Sequence, residues 1–500
     1  MNVISSKNFR WFVVVTVFIG ILLRLYGLSN PLTEAWNIRQ AQTAMMARNI
    51  FLDGVHFLPT RLDFFGNSSG DVVLEFPLMH MITASLYWLF GVNEIFGRLV
   101  SLGFFALSSL MFLQLALLFL SRSGALCALI IFTISPWNIF LGRAFMPEAS
   151  MMFFYLSGFY LFSIFLEKRK LFYLILGVIA LCLAPLTKPP AGLVFLPVIT
   201  SIFFSKFRGS TKINLVALVL FCTIPFAAWG IYANYINASN PNIPKNWGNW
   251  LDIIYGRGGI LGNWLSWDFY RNVGGSIVVF LLTPVFFIGA LLGLWVGAAN
   301  KKFIPIQHWL FGCVLFIFVL AGANRGHPYY QIFLLPPLAL YCGLFFERYS
   351  FKIINFVKSK NGILVVSVIL AVHVFGYYRF YQYMYDPNLR MPNAIQAAGI
   401  IKKHFPEDRY ALIHQKNATS GVLDYYIDGN SKPIKIEDEQ QAIELLITEV
   451  SNGANIFVSI NTVYGNSLQE LRKNEAFILH LETAGELVFE GDNLIVYAMN

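Results

Sequence analysis

Charge is scarce in this sequence. Asp, Glu, Lys and Arg make up only 13% of 500 residues, too few to coat a soluble particle of that size. Cysteine is scarcer still. Cys127, Cys182, Cys222, Cys313 and Cys342 all lie inside apolar runs, and none has metal-ligand spacing. This argues against a disulfide framework or a zinc module and makes the thiols small buried hydrophobes. There is no Gly-rich phosphate loop and no dinucleotide fingerprint, which argues against chemistry performed directly on a nucleotide. The opening MNVISSKNFRWFVVV has the basic and apolar regions of a signal peptide but no small-residue cleavage site after them, so it reads as an uncleaved first span. No internal repeat and no low-complexity tract is visible.

What the chain has instead is apolar length: 57% of it is hydrophobic, with 48 Phe. Several runs exceed the roughly 18 uncharged residues needed to cross a bilayer, so the class is a multispan membrane protein. The net charge of +9 sits in short loops between these runs. That is the positive-inside pattern rather than the footprint of a nucleic-acid binder. Spans are expected near 11–28, 99–120, 124–141, 149–166, 171–186, 191–204, 213–235, 273–298, 303–321, 330–346 and 363–378. Pro77–Phe90 is only 14 residues long. It reads as an interfacial or re-entrant helix, because a crossing there would put Glu167-Lys168-Arg169-Lys170 outside. About 11 crossings with a cytoplasmic N-terminus leave the C-terminus outside. Composition changes near Tyr381, where strand-like and helical runs begin to alternate. The expected organisation is therefore a membrane helical domain over 1–380 and a soluble periplasmic or extracellular α/β domain over 381–500.

The long polar loop from Gly27 to Pro77 follows the first span. It carries Glu34 and Glu75 and a cluster of Trp36, Arg39 and Gln40, and Thr33 reads as the cap of its first helix. Ionisable groups at membrane depth are costly and therefore suspect. Under this topology Glu34, Glu75, Arg98, Arg143, Glu148, Lys188 and the stretch NRGHPYYQ reach one face. That stretch holds Arg325, His327, Tyr329, Tyr330 and Gln331. Carboxylates beside cations suit a reaction between an anionic lipid donor and a hydroxyl or amine acceptor. A carboxylate (Glu34, Glu75 or Glu148) would take the acceptor proton. Arg98, Lys188, Arg325, His327 and Tyr329 would hold a phosphate leaving group. Trp36, Arg39, Gln40, Tyr330 and Gln331 would contact substrate. The loop 236–272, with Trp247, Trp250, Trp264, Trp267 and Arg257, reads as an interfacial belt or a sugar platform.

The segments RLYGLSNPLTEAW, LEFPLMHMI, LFGVNEIFGRLVS, GRAFMPEA, LTKPPAGL and GHPYYQIFLLPPLAL occur in this order. Together they resemble bacterial glycosyltransferases of the GT-C class, in particular the protein O-mannosyltransferase and lipid A aminoarabinose transferase groups, over about residues 8–345. The resemblance implies a polyprenyl-phosphate sugar donor, transfer on the non-cytoplasmic face with inversion, interfacial helices in the first loop and a following soluble domain. Glu34-Ala35 stands where the family has an Asp-Glu pair, and Glu75-Phe76-Pro77 matches its Glu-x-Pro. Arg98 and Lys188 match its basic positions, with Pro189 where Gly is usual. The expected function is an inner-membrane glycosyltransferase of a bacterial cell envelope. Its partners would be the lipid-linked donor, a lipid, glycan or protein acceptor, and membrane lipids, with no nucleic acid. No cofactor is assigned, and a divalent metal is left open. A transporter or flippase of a lipid-linked saccharide is the alternative, though inverted repeats are not visible. A scaffold displaying the tail is the third reading. Removing the tail would separate it from an enzyme, which should keep its membrane-domain chemistry.

Overall fold

The structure is a computed structural model that describes residues 6–54, 59–66, 70–240, 259–386, 391, 393–415, 421–462 and 465–500. The chain forms two compact units. The first comprises Met1–Leu28, Arg98–Ile231 and Asn246–Phe380, and the second Ser29–Gly97, Tyr232–Lys245 and Tyr381–Asn500.

The first unit is helical. Among the described residues of the chain, seven helices are long and apolar enough to cross a membrane. The pair Trp267–Leu281 and Pro284–Gly297, bent by 98°, makes an eighth if it is one span. The described residues also form four shorter apolar helices: Arg122–Ile134, Leu171–Thr187 and Pro189–Phe204, and Leu78–Phe90, which belongs to the second unit. A helix is the form these runs must take in lipid, where only intrasegment hydrogen bonds satisfy the backbone. Helix α1 is Ser6–Leu25, α2 Asn37–Asp53, α3 Leu78–Phe90, α4 Glu94–Phe119, α5 Arg122–Ile134, α6 Pro136–Leu141, α7 Glu148–Lys168 and α8 Leu171–Thr187.

The expected span 124–141 is instead two helices, α5 and α6. Pro136 cannot donate an amide hydrogen, and the Ser135 hydroxyl accepts from Asn138 N to start a new helix. The bend at Thr283 has the same origin, with Pro284 opening the second helix. Helices α7 and α8 form an antiparallel hairpin. Its turn is made by Arg169 in the left-handed region at φ 56°. Gly158 lets the two backbones approach, since a Cβ there would lie 2.8 Å from Leu181 Cδ2. The hairpin therefore separates its basic turn, Lys168–Lys170, from the end that carries Glu148 and Lys188.

The second unit joins the first polar loop to the C-terminal residues. Within the loop, α2 begins at Asn37, after Trp36 in a left-handed conformation. Thr33 therefore does not cap it: the backbone reverses at Trp36 before the helix starts. The short antiparallel pair β1 (Thr60–Arg61) and β2 (Asp71–Val72) precedes α3. The C-terminal part is built on a five-stranded sheet in the order β4-β3-β5-β7-β6. Strands β3 (Tyr410–His414), β4 (Asn430–Ile434) and β5 (Ile456–Ile460) are parallel. Strands β6 (Gly485–Gly491) and β7 (Leu494–Met499) complete it antiparallel. β3 and β5 are buried at every residue, as parallel strands covered on both faces should be. Leu412, Phe457, Phe477, Leu481 and Tyr497 form the core. A buried side chain of this size contributes about 1.5–3 kcal/mol. β4, which holds Pro433, is an edge strand, the position a proline tolerates.

Candidate active site

In the first unit the centre of the cluster is Lys188. It follows the last residue of α8, where Pro185 has already broken the hydrogen-bond ladder and a 3-10 turn, Pro189–Val194, begins. Its ammonium is buried and paired with Glu148, the first residue of α7. The antiparallel hairpin explains the meeting, because the start of α7 and the end of α8 lie at the same end. Lys188 Nζ also lies 4.6 Å from the Tyr329 ring centroid and 5.0 Å from that of Tyr330, within cation–π range. The two rings are 4.8 Å apart, and the His327 ring packs against Tyr329 at 5.5 Å with the planes tilted by 45°. Helix Ala321–Gly326 ends at His327, and Pro328 starts the 3-10 turn that presents the tyrosines.

Polar atoms in this cluster remain open. Glu148 Oε2, Asn324 Oδ1 and Gln331 Oε1 are buried and have no hydrogen-bond partner among the described residues. Arg325 reaches Asn263 Oδ1 at 3.3 Å and lines a cavity of about 330 Å³ with Asn272, Gly322 and Gly326. A second, apolar cavity of about 570 Å³ begins at Pro189, the residue after Lys188. Leu193, Leu196, Phe226, Leu315 and Phe316 line it further.

The buried arginines behave differently. Arg98 Nη1 donates to Leu28 O at 2.8 Å, and Arg143 Nη1 to Gly27 O at 2.6 Å. Both therefore satisfy carbonyls just past the end of α1, which its helix leaves unpaired. Arg24 is also fully buried. It donates to the carbonyls of Gly20, Thr133 and Asn138 and packs on the Phe105 ring.

In the second unit Arg39, on the first turn of α2, pairs with Glu75. Gln40 donates to Ala35 O at 2.8 Å, which tightens the turn that holds Glu34 and Trp36, and Glu34 is fully buried. His80 is buried in the first turn of α3. Burial, and secondarily the Arg39 guanidinium, push its imidazole down to about 3. His80 was not singled out from the sequence; its signal is its place five residues after Glu75, at the start of a helix. Asn324 likewise has no sequence signal beyond its place next to Arg325. Of the tryptophan-rich loop, Trp247, Trp250, Arg257 and Gly258 lie outside the described residues. Trp264 donates to Phe318 O at 2.8 Å, and Trp267 is exposed. No group of three His, Cys, Asp or Glu side chains among the described residues is arranged to hold a metal ion.

The depressed His80 pKa has a measurable consequence. Between about 3 and its ordinary value, 6.5, the folded protein binds fewer protons here than the unfolded chain does. Its stabilising contribution is therefore complete above pH 6.5 and is lost as pH falls, by about 1.4 kcal/mol per unit. Acidifying from pH 7 to 5 should lower the melting temperature of the native protein more than that of His80→Gln. Equal losses in the two proteins would contradict the assignment.

Residues 75–229 match the dolichyl-phosphate-mannose-protein mannosyltransferase family. An uncharacterized protein of Aquifex aeolicus is 25% identical over 359 residues, covering 69% of this chain and 74% of its own. Among solved structures, ArnT from Cupriavidus metallidurans bound to undecaprenyl phosphate is similar with a TM-score of 0.65 to its apo form and 0.64 to the complex. Identity to the complex is 14%, over 99% of this chain and 98% of ArnT. The archaeal oligosaccharyltransferase AglB from Archaeoglobus fulgidus, in complex with an inhibitory peptide and a dolichol-phosphate, gives a TM-score of 0.57. Its identity is 12%, over 99% of this chain and 75% of AglB. At these identities the likeness is one of fold: the chain has an ArnT-like fold, with its membrane helices and C-terminal mixed sheet.

Proposed function

We propose that this polyprenyl-phosphate-sugar glycosyltransferase works on the non-cytoplasmic face of a bacterial inner membrane, by a single inverting displacement. The observation that carries the reading is Lys188: a buried ammonium held by one carboxylate, roofed by two tyrosines, and followed directly by an apolar cavity. An ammonium has three donors. Glu148 takes one and orients the group, which leaves others for an anionic oxygen. A phosphate monoester on a prenyl chain matches this combination, with its charge at Lys188 and Arg325 and the first isoprene units along Leu193, Leu196 and Phe316. ArnT and AglB, which share the fold, were solved with undecaprenyl phosphate and a dolichol-phosphate.

In the reaction, a hydroxyl oxygen or amine nitrogen of the acceptor attacks the anomeric carbon from the side opposite the phosphate. The carbon–oxygen bond to phosphate breaks, and its electron pair leaves as polyprenyl phosphate. Lys188, Arg325, His327 and Tyr329 stabilise the charge that develops on the leaving oxygen. A carboxylate of the first loop, Glu34 or Glu75, takes the proton, with Trp36, Arg39 and Gln40 contacting the substrates. Tyr330 and Gln331 contact the sugar. Arg98, with Leu28 O already on its guanidinium, is assigned to holding the end of α1 as well as to the phosphate.

Charge supports the direction. Arg169 packs on Phe207, Phe119 on Phe303, and Ser121 N donates to Glu347. The turns bearing Arg122, Lys168–Lys170, Lys206–Arg208 and Lys301–Lys302 thus gather at the end of the helices away from Lys188, where the positive-inside rule puts the cytoplasm. Counting the bent pair and three of the short apolar helices as crossings gives eleven, with α3 in the interface. The C-terminal domain is then periplasmic or extracellular. Sealed right-side-out vesicles carrying the enzyme and a polyprenyl-phosphate sugar test all of this. They should release polyprenyl phosphate when acceptor is supplied outside, and the product should have the inverted anomeric configuration. Movement of the intact lipid-linked saccharide without bond cleavage would favour the transporter.

A further inference from the structure

From the contacts inside the second unit we infer that the C-terminal domain is a working part of the transferase: it positions the first loop, and Arg48 and Tyr426 are the residues through which it does so. The inference rests on the reading that this loop carries Glu34, Arg39 and Glu75 to the reaction.

Three sets of contacts support it. Residues 63–66 of the loop extend the open edge of the sheet. Ser431 N, on β4, donates to Asp63 O at 2.7 Å, and Gly66 N donates to Ser431 O at 2.8 Å. An edge strand needs such a cover, and strand addition is a strong way to provide one. Gly66 is required here: its φ is +81°, and a Cβ would lie 2.7 Å from the Tyr410 hydroxyl.

Arg48, near the far end of α2, grips three residues on two pieces of chain at once. Its guanidinium donates to Asp63 Oδ2 at 2.6 Å and to Tyr425 O at 2.8 Å, and it pairs with Asp428 at 2.8 Å. It also lies over the Tyr425 ring. Asn49 completes the carboxylate of Asp63 with a bond of 2.7 Å. Arg39, which pairs with Glu75, lies on the same helix. The separation is nine residues, roughly 13 Å of rigid helix, so fixing Arg48 fixes the place of Arg39.

Glu34 is bracketed. Two residues before it, Leu32 N donates to the Tyr426 hydroxyl at 2.7 Å, and one residue after it, Ala35 N donates to Met384 O at 3.0 Å. Both acceptors belong to the chain beyond 380. The tail therefore holds the backbone on either side of a candidate catalytic carboxylate. Chemistry independent of the tail, the expectation from the sequence, gives way to chemistry that depends on it.

The test uses the full-length enzyme with a polyprenyl-phosphate sugar. Misplacing a reacting group by an ångström can cost about 100-fold, so Arg48→Met should lower kcat by about that factor. The donor KM should stay within about twofold, because the phosphate-binding residues belong to the other unit; Arg48→Lys should recover part of the loss. Tyr426→Phe removes one hydroxyl acceptor. It should lower kcat several-fold with unchanged melting temperature, which a merely stabilising contact would not do. Wild-type kcat in Tyr426→Phe, together with an Arg48→Met loss no larger than its loss of folded protein, would overturn the inference. Failure of the glycosyltransferase reading looks different: the wild-type enzyme itself would neither bind nor turn over the lipid-linked sugar.

Discussion

Lys188→Met should reduce sugar transfer by at least about 1,000-fold. The variant removes the ammonium that would meet the leaving phosphate, and electrostatic groups of this kind are commonly worth 100- to 1,000-fold each. It also leaves Glu148 as a buried carboxylate without its cation, which costs about 3–5 kcal/mol of stability. Those two effects have to be separated, and the pair allows it. Replacing both residues by apolar ones of similar size, Lys188→Met with Glu148→Leu, removes the orphaned charge and should restore much of the thermal stability. It should not restore transfer. Glu148→Gln alone keeps the ammonium but loses the carboxylate that aims it, and should lose about 10- to 100-fold. If activity returned with stability in the double variant, the pair would be a packing device only and Lys188 would have no part in the chemistry. Loss of polyprenyl phosphate binding in Lys188→Met, by contrast, would follow directly from the proposed role.

Both members of that pair were visible in the sequence as charges beside prolines at the ends of apolar runs, but their pairing was not. It depends on α7 and α8 turning back on each other at Arg169 with Gly158 against Leu181, a register that residues 40 apart do not encode locally. The same limit separates the tail's legible parts from its illegible ones. Strands at Tyr410–His414, Ile456–Ile460 and Leu494–Met499 have the bounds their apolar runs suggest. Helix Val422–Ile427 has only six residues, too few to show a period, and Glu475–Ala484 directly follows another helix, so neither was anticipated. Spans that read as single runs break at Pro136 and Pro284, because apolar content predicts immersion in lipid and says less about where a backbone can continue. Least legible is the alliance of the first loop with the tail. Ser431 and Asp63 are 368 residues apart, and neither carries a motif.

Glu75→Gln should lower kcat by about 100- to 1,000-fold, and its interpretation turns on Arg39 and His80. Glu75 pairs with Arg39 at the start of α3, with the buried neutral imidazole of His80 near the same guanidinium. Arg39 and Glu75 both keep some contact with solvent. Breaking their pair therefore costs far less stability than breaking the buried pair at Lys188, on the order of 1 kcal/mol. A large loss of kcat with a small loss of stability is thus the signature of chemistry rather than of folding. Arg39→Met alone should mainly weaken positioning, and Glu75→Gln in the Arg39→Met background should still lose most of the remaining rate. A general base also controls the acid side of the pH–rate profile. If Glu75 takes the acceptor proton, the acid limb of kcat/KM present in the wild-type enzyme should vanish in Glu75→Gln. If the limb survives there and vanishes in Glu34→Gln, the proton goes to Glu34 and Glu75 serves to hold Arg39. If both variants keep full activity, the first loop supplies neither base, and the assignment of proton transfer to it fails.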